Sequence, residues 1–169
     1  MIEFMKVRDV KSPQRNYGDA GIDLYMCNYS QEVEDYIKYK NPTWENDGVS
    51  FTPEGVILEP GTNVMLPSGL KYKIPSNVAL IQFTKSGVCL KKQLDCANGV
   101  GDSTYQGELH IHLRNEGYMP RLVKYGEKIT QFVPVVYDTS EINVCDFQEN
   151  WFTEKTSRAD GGFGSTGTV

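Results

Sequence analysis

Leu109, Ile111 and Leu113 alternate with His110, His112 and Arg114, a period of two that puts the apolar set on one face of a sheet. Short β-branched and aromatic runs of the same kind fill the chain from Val56 onward. They predict strands at 64–66, 70–74, 78–83, 109–113, 129–133 and 135–137. Turn sequences separate them, among them Glu59-Pro-Gly, Pro67-Ser-Gly, Pro75-Ser-Asn, Asn115-Glu-Gly and Tyr125-Gly-Glu. With no long amphipathic helix in this region, the pattern predicts an all-β sandwich or barrel.

One segment has another period. Val33, Tyr36, Ile37 and Lys40 fall at helical spacing, with acids early and lysines late as the helix dipole prefers. A short helix and then an irregular loop are expected over about 29–48. Such an insertion serves as a partner-binding or lid element, or more commonly is an inert surface excursion.

Composition narrows the function classes. A chain of 169 residues with 39% hydrophobic content builds one ordinary domain. A net charge of −5 disfavours direct nucleic-acid binding but leaves room for a local cationic pocket that takes small phosphates. Cys27, Cys89, Cys96 and Cys145 form no C-x-x-C pair, which argues against a zinc or redox centre and for buried free thiols. The start lacks a signal-peptide core and no apolar run is long enough to span a bilayer, so a soluble cytoplasmic protein with no membrane partner is expected.

Three stretches carry candidate chemistry. In Asn98-Gly-Val-Gly-Asp-Ser-Thr-Tyr-Gln-Gly-Glu108, a turn made by Gly99 and Gly101 would bring the backbone close to a flat polar ligand and hold Asp102 beside it. The same text also reads as an Asp-capped turn with Tyr105 as a packing residue. Phe83-Thr-Lys-Ser-Gly87 offers a cation, a hydroxyl and a small amide nest at a strand exit. The terminal Arg158-Ala-Asp-Gly-Gly-Phe-Gly-Ser-Thr-Gly167 interleaves a phosphate fork, a stacking ring in Phe163 and hydroxyl donors with glycines, a composition suited to wrapping a ligand. His110 and His112 project together, either as two metal ligands without an evident third or as a solvated or interface face.

These stretches, with Ala20-Gly-Ile-Asp-Leu-Tyr25 and Gly126-Glu-Lys-Ile-Thr-Gln131, resemble the five ordered motifs of the trimeric dUTP pyrophosphatase (dUTPase) family. The resemblance implies a jelly-roll-like β domain over 1–157, a mobile arm over 158–169 that closes an active site, and a homotrimer with shared sites. It implies hydrolysis of dUTP to dUMP and pyrophosphate with Mg2+, keeping uracil out of DNA and supplying dUMP for dTMP synthesis. Carried over by motif, Asp102 is the general base and Tyr105 the ring that packs on deoxyribose. Gly99 and its neighbours read uracil through the main chain. Lys85, Ser86, Gly87 and Gln131 meet the phosphates, and Arg158, Phe163, Gly164, Ser165 and Thr166 come from the arm. Asp23 is at most a second-sphere acid to a metal held mainly by phosphate and water.

Several positions depart from the family pattern. Lys85 stands where arginine is usual, a point charge in place of a fork. Gly101 stands where an aliphatic residue usually precedes the acid, Glu127 and Lys128 stand for Asp and Arg, and Ala159 stands for Gly. Two rival readings share the scaffold. A dCTP deaminase would require a glutamate to activate water, and Glu108 is the acid nearest the third motif. A catalytically silent nucleotide sensor would use the 29–48 insertion as its contact surface.

Overall fold

The alternation at 109–115 becomes a strand in which Ile111 and Leu113 are fully buried, His110 and His112 half-buried, and Arg114 exposed. The computed structural model describes residues 1–40, 48–146, 148, 154 and 156. Along the chain run β1 (Glu3–Lys6), β2 (Ile22–Tyr25), α1 (Gln31–Lys40), β3 (Val49–Thr52), β4 (Gly55–Leu58), β5 (Asn63–Pro67) and β6 (Leu70–Lys73). There follow β7 (Val78–Thr84), α2 (Ser86–Lys92), β8 (Leu94–Cys96), β9 (Val100–Gly101), β10 (His110–Asn115), β11 (Arg121–Lys124) and β12 (Lys128–Val136).

The described strands form four antiparallel sheets, ordered β1-β6, β5-β10-β8, β11-β4-β3 and β2-β12-β7-β9. Register follows the apolar pattern: Ile111 faces Leu66, Leu113 faces Val64, and Val123 faces Val56, all buried. One core lies among β3, β4, β5, β8, β10, β11 and both helices; a second gathers Leu24, Leu70, Tyr72, Leu80, Leu109 and Phe132. Each fully buried Leu, Ile or Phe contributes about 1.5–3 kcal/mol of transfer free energy.

The expected strands are present, with two differences. Residues 129–133 and 135–136 form one strand, with Tyr137 just past its end, because Pro134 sits in β12 opposite Leu80 of β7. The other edge of β12 pairs with β2 only as far as Phe132, so a residue lacking an N–H is tolerated there. The second difference is α2, which the reading of a plain strand exit missed; Lys91 and Lys92 in its last turn are the signal that marks it.

The insertion is not an inert excursion where it is described. Val33 and Ile37 of α1 are buried in the first core. Tyr29, just before the helix, donates its hydroxyl to the Pro67 carbonyl at 2.7 Å and meets the rings of Phe51 and Tyr125 edge-on. Of the cysteines, Cys27 and Cys96 are buried as expected, whereas Cys89 and Cys145 are exposed. Burial, and then the charge of Glu108, pushes the Cys27 thiol up to about 12.

The chain divides into a unit Met1–Asp138, which holds every element above, and a unit Thr139–Val169, whose described residues carry no helix or strand. The candidate residues Arg158, Phe163, Gly164, Ser165 and Thr166 lie outside the described residues. Among the described residues no helix is long and apolar enough to cross a membrane.

Candidate active site

Two clusters of candidate residues occupy different places on the β2-β12-β7-β9 sheet. The first surrounds a cavity of about 220 Å³ lined by Gly99, Gly101, Asp102 and Tyr105 together with Tyr72, Gln82, His110, His112 and Phe132. Gly99 and Gly101 do not form the turn expected of them: neither has a positive φ, and Gly101 is a strand residue opposite Leu80. Gly101 is small because the wall behind it is full, whereas a Cβ on Gly99 would meet only Gln82 Oε1, at an ordinary 3.8 Å. A Cβ on Gly101 would lie 2.7 Å from the Tyr72 hydroxyl.

Beyond β9 the chain turns, with the Tyr105 amide donating to the Asp102 carbonyl at 3.2 Å and the Asp102 side chain exposed at the cavity. Tyr105 folds back so that its hydroxyl donates to the Glu108 carbonyl at 3.0 Å. That position requires Gly107, where a Cβ would come within 2.2 Å of the Tyr105 hydroxyl.

The cavity wall is fixed by internal hydrogen bonds. Gln82 is 1% exposed; its Nε2 donates to Thr130 Oγ1 at 3.2 Å, and its Oε1 accepts the His112 amide at 3.3 Å. His110 Nδ1 lies 2.8 Å from the Glu108 carbonyl, and His112 Nε2 is paired with Asn63 Oδ1. The histidines are therefore cavity-lining residues with local partners. Burial, and then the Arg114 charge, lowers the His112 pKa.

Glu108 is committed elsewhere. Its Oε1 accepts Arg8 Nε at 3.0 Å and the Gly69 amide at 2.7 Å, and its Oε2 accepts Arg8 Nη2 at 3.0 Å. A carboxylate held this way has no geometry for activating water against a base, which is the role the deaminase reading would give it.

The second cluster stands at the far end of β7. Lys85 follows the strand and pairs its ammonium with Asp23 Oδ1, while Lys128 Nζ lies 3.1 Å from Asp23 Oδ2. Burial raises the Asp23 pKa, but the two lysines more than offset it and hold the carboxyl below its usual range. Gln131 lies opposite Asp23 and donates Nε2 to the Thr84 carbonyl at 3.1 Å. Gly21 is glycine because a Cβ there would meet Gln131 Oε1 at 2.2 Å. Ser86 and Gly87 are exposed at the start of α2.

Gly101 is paired with Leu80, Gln131 with Phe83, and Lys85 comes after Thr84. At about 3.3 Å per residue the two clusters are therefore about 10 Å (Gln131) to 17 Å (Lys85) apart along β7. The more distant Lys85 does not cross its gap to a phosphate beside Asp102 of its own chain.

No group of three or more His, Cys, Asp or Glu side chains converges as a metal cage among the described residues. The carboxylate of Asp23 is taken by two lysines. This donor set suits a cation that keeps its waters and is carried by phosphate oxygens, and does not suit an all-protein Mg2+ site.

A sequence model of the dUTPase family matches residues 51–167, which include the cavity-forming hairpin. The deoxyuridine 5'-triphosphate nucleotidohydrolase of Ectopseudomonas mendocina is 40% identical over 121 residues, 68% of this chain and 75% of that protein. This chain belongs to the dUTPase family. The Desulfitobacterium hafniense enzyme of the same name is 39% identical over 113 residues, covering 65% of this chain and 72% of its own.

Solved dUTPases share the architecture. The Staphylococcus bacteriophage 80alpha dUTPase with dUPNHPP superposes with a TM-score of 0.70 at 21% identity, covering 99% of this chain and 98% of the phage chain. A dUTPase from phage phi11 of S. aureus, whose structure shows coordination of a structural Mg(II) ion, gives 0.66 at 18% identity, covering 89% and 99%. This likeness establishes the all-β, jelly-roll-like dUTPase fold. Tyr72 and Gln82 are the cavity residues to which the sequence reading gave no role, since their places arise from strands distant in sequence.

Proposed function

We propose that this dUTPase hydrolyses dUTP to dUMP and pyrophosphate through water activated by Asp102. The observation that carries the reading is the exposed Asp102 at a cavity that the Tyr105 of the same loop also lines. Uracil enters the cavity, where the close approach of backbone at Gly99 to Gly101 favours a small pyrimidine, and the Tyr105 ring packs on deoxyribose. Asp102 takes a proton from a water as its oxygen bonds to the α-phosphorus. The bond from that phosphorus to the bridging oxygen breaks, and pyrophosphate leaves.

The groups assigned to phosphate, Lys85, Ser86, Gly87 and Gln131, come from a second copy of the chain, a reading that their separation from Asp102 along β7 supports. A homotrimer with three shared sites fits this reading, and the arm with Arg158, Phe163, Gly164, Ser165 and Thr166 closes over the bound nucleotide. Mg2+, if carried by phosphate oxygens and water, would supply charge neutralisation to the triphosphate, while Asp23 holds Lys85 and Lys128 and is not needed as its ligand. The reaction belongs in the cytoplasm, where it limits uracil in DNA and yields dUMP for dTMP synthesis.

The test is Asp102→Asn. Turnover should fall by about 10²- to 10⁴-fold, the worth of a positioned general base. Calorimetric affinity for a non-hydrolysable dUTP analogue should stay within a few-fold. An unchanged rate refutes the assignment, and ammonia released from dCTP by the native enzyme would replace the reaction class.

A further inference from the structure

The wall behind the catalytic loop contains a tyrosine that sequence reasoning left without a role. Tyr72, on β6, is 7% exposed and packed in the second core, with its hydroxyl directed toward the end of β9. That hydroxyl donates to the Asp102 main-chain carbonyl at 3.0 Å. The same carbonyl accepts the Tyr105 amide at 3.2 Å, so one oxygen ties the loop both to itself and to the core. The Tyr72 and Tyr105 rings lie 6.3 Å apart at 34°, which places Tyr72 behind both residues of the loop assigned to the reaction. Burial, and then the charge of Asp102, pushes the Tyr72 hydroxyl up to about 12, so it stays protonated and remains a donor.

The glycine beside the acid is the other half of this arrangement. A Cβ at Gly101 would lie 2.7 Å from the Tyr72 hydroxyl, 3.2 Å from its Cζ and 3.4 Å from Leu80 Cβ. A hydroxyl anchored by a hydrogen bond on a buried ring has little freedom to retreat, so a side chain at 101 would displace the strand end that carries Asp102. Tyrosine at 72 and glycine at 101 therefore fit each other, and the loop is tied by a tertiary hydrogen bond where it has no side-chain packing at 101.

We propose that Tyr72 is a positioning residue for dUTP hydrolysis: its hydroxyl sets the height of the Asp102 loop over the cavity, and Gly101 is the space that hydroxyl requires. The inference rests on Asp102 as the general base. It acts on the rate of the step, because the base must stand within hydrogen-bond reach of the attacking water, and much less on nucleotide affinity, which the rest of the cavity supplies.

The experiment is a double-mutant cycle of Tyr72→Phe and Gly101→Ala, read as kcat and KM for dUTP, with Asp102→Asn assayed alongside. Tyr72→Phe keeps the ring and should lower kcat by about three- to tenfold, the worth of one hydrogen bond, with KM within about twofold. Gly101→Ala alone should lower kcat by about 100-fold through loop misplacement. In the Tyr72→Phe background the nearest ring atom is at 3.2 Å, and Gly101→Ala should regain a good part of that loss. A Tyr72→Phe enzyme with native kcat, a loss confined to KM, or an equal cost of Gly101→Ala in both backgrounds overturns the proposal. If Asp102→Asn is inactive and Tyr72→Phe indifferent, only the role of Tyr72 falls. If Asp102→Asn is fully active, the base assignment falls with it.

Discussion

Replacing Glu108 with glutamine separates a structural carboxylate from a catalytic one. In the native protein this carboxylate accepts two N–H groups of Arg8 and the Gly69 amide, and its side chain is 14% exposed against 29% for Arg8. Exposed ion pairs contribute about 0–1 kcal/mol, and removing one partner of a fully buried pair costs about 3–5 kcal/mol. This pair lies between those limits. Glutamine keeps one oxygen for the Gly69 amide but turns a donor toward the guanidinium, so a loss of about 2 kcal/mol is expected.

Urea unfolding at fixed protomer concentration reads that loss as a lower midpoint with an unchanged slope. Because the Glu108 carbonyl also receives the Tyr105 hydroxyl, some activity should be lost too, though far less than for Asp102→Asn. A Glu108→Gln protein with native stability and turnover reduced as severely as in Asp102→Asn would refute the clamp and give the carboxylate a chemical role.

Ile37→Ala should destabilise the protein by about 2–5 kcal/mol, because this side chain of α1 is 1% exposed within the first core; a midpoint shift below about 1 kcal/mol in the same assay would return the helix to the status of surface decoration. Deleting residues 158–169 should cut turnover strongly while leaving the β unfolding transition in place, as loss of a closing element does. A truncated enzyme of equal activity would remove the arm from the mechanism.

Period-two alternation was enough to read β10 and its partner β5, because a sheet with one buried face imposes that pattern on its own text, whereas the three-residue β8 on its other edge is too short to show it. Pro134 misled for a local reason: whether a proline ends a strand depends on whether the adjoining edge is paired, and β2 ends before reaching it. The motifs were legible as an ordered set, and that order is what marks the family. Their distribution over two clusters was not, because it depends on strand register. Gly101 illustrates the limit most directly. As text it departs from the expected aliphatic residue and suggests a looser loop; its cause is the hydroxyl of Tyr72, 29 positions earlier in the chain. Glu108 likewise owes its role to Arg8, 100 positions away.

The spacing of the two clusters along β7 also bears on inheritance and dosage. In the proposed shared site, one chain crippled at Asp102 and another crippled at Gln131 each retain the half the other has lost. Mixed assemblies of the two regenerate a complete site wherever the intact halves meet, so two individually inactive alleles complement each other. For the same reason, in that arrangement any condition that separated the chains without unfolding them would also separate the two halves of the site.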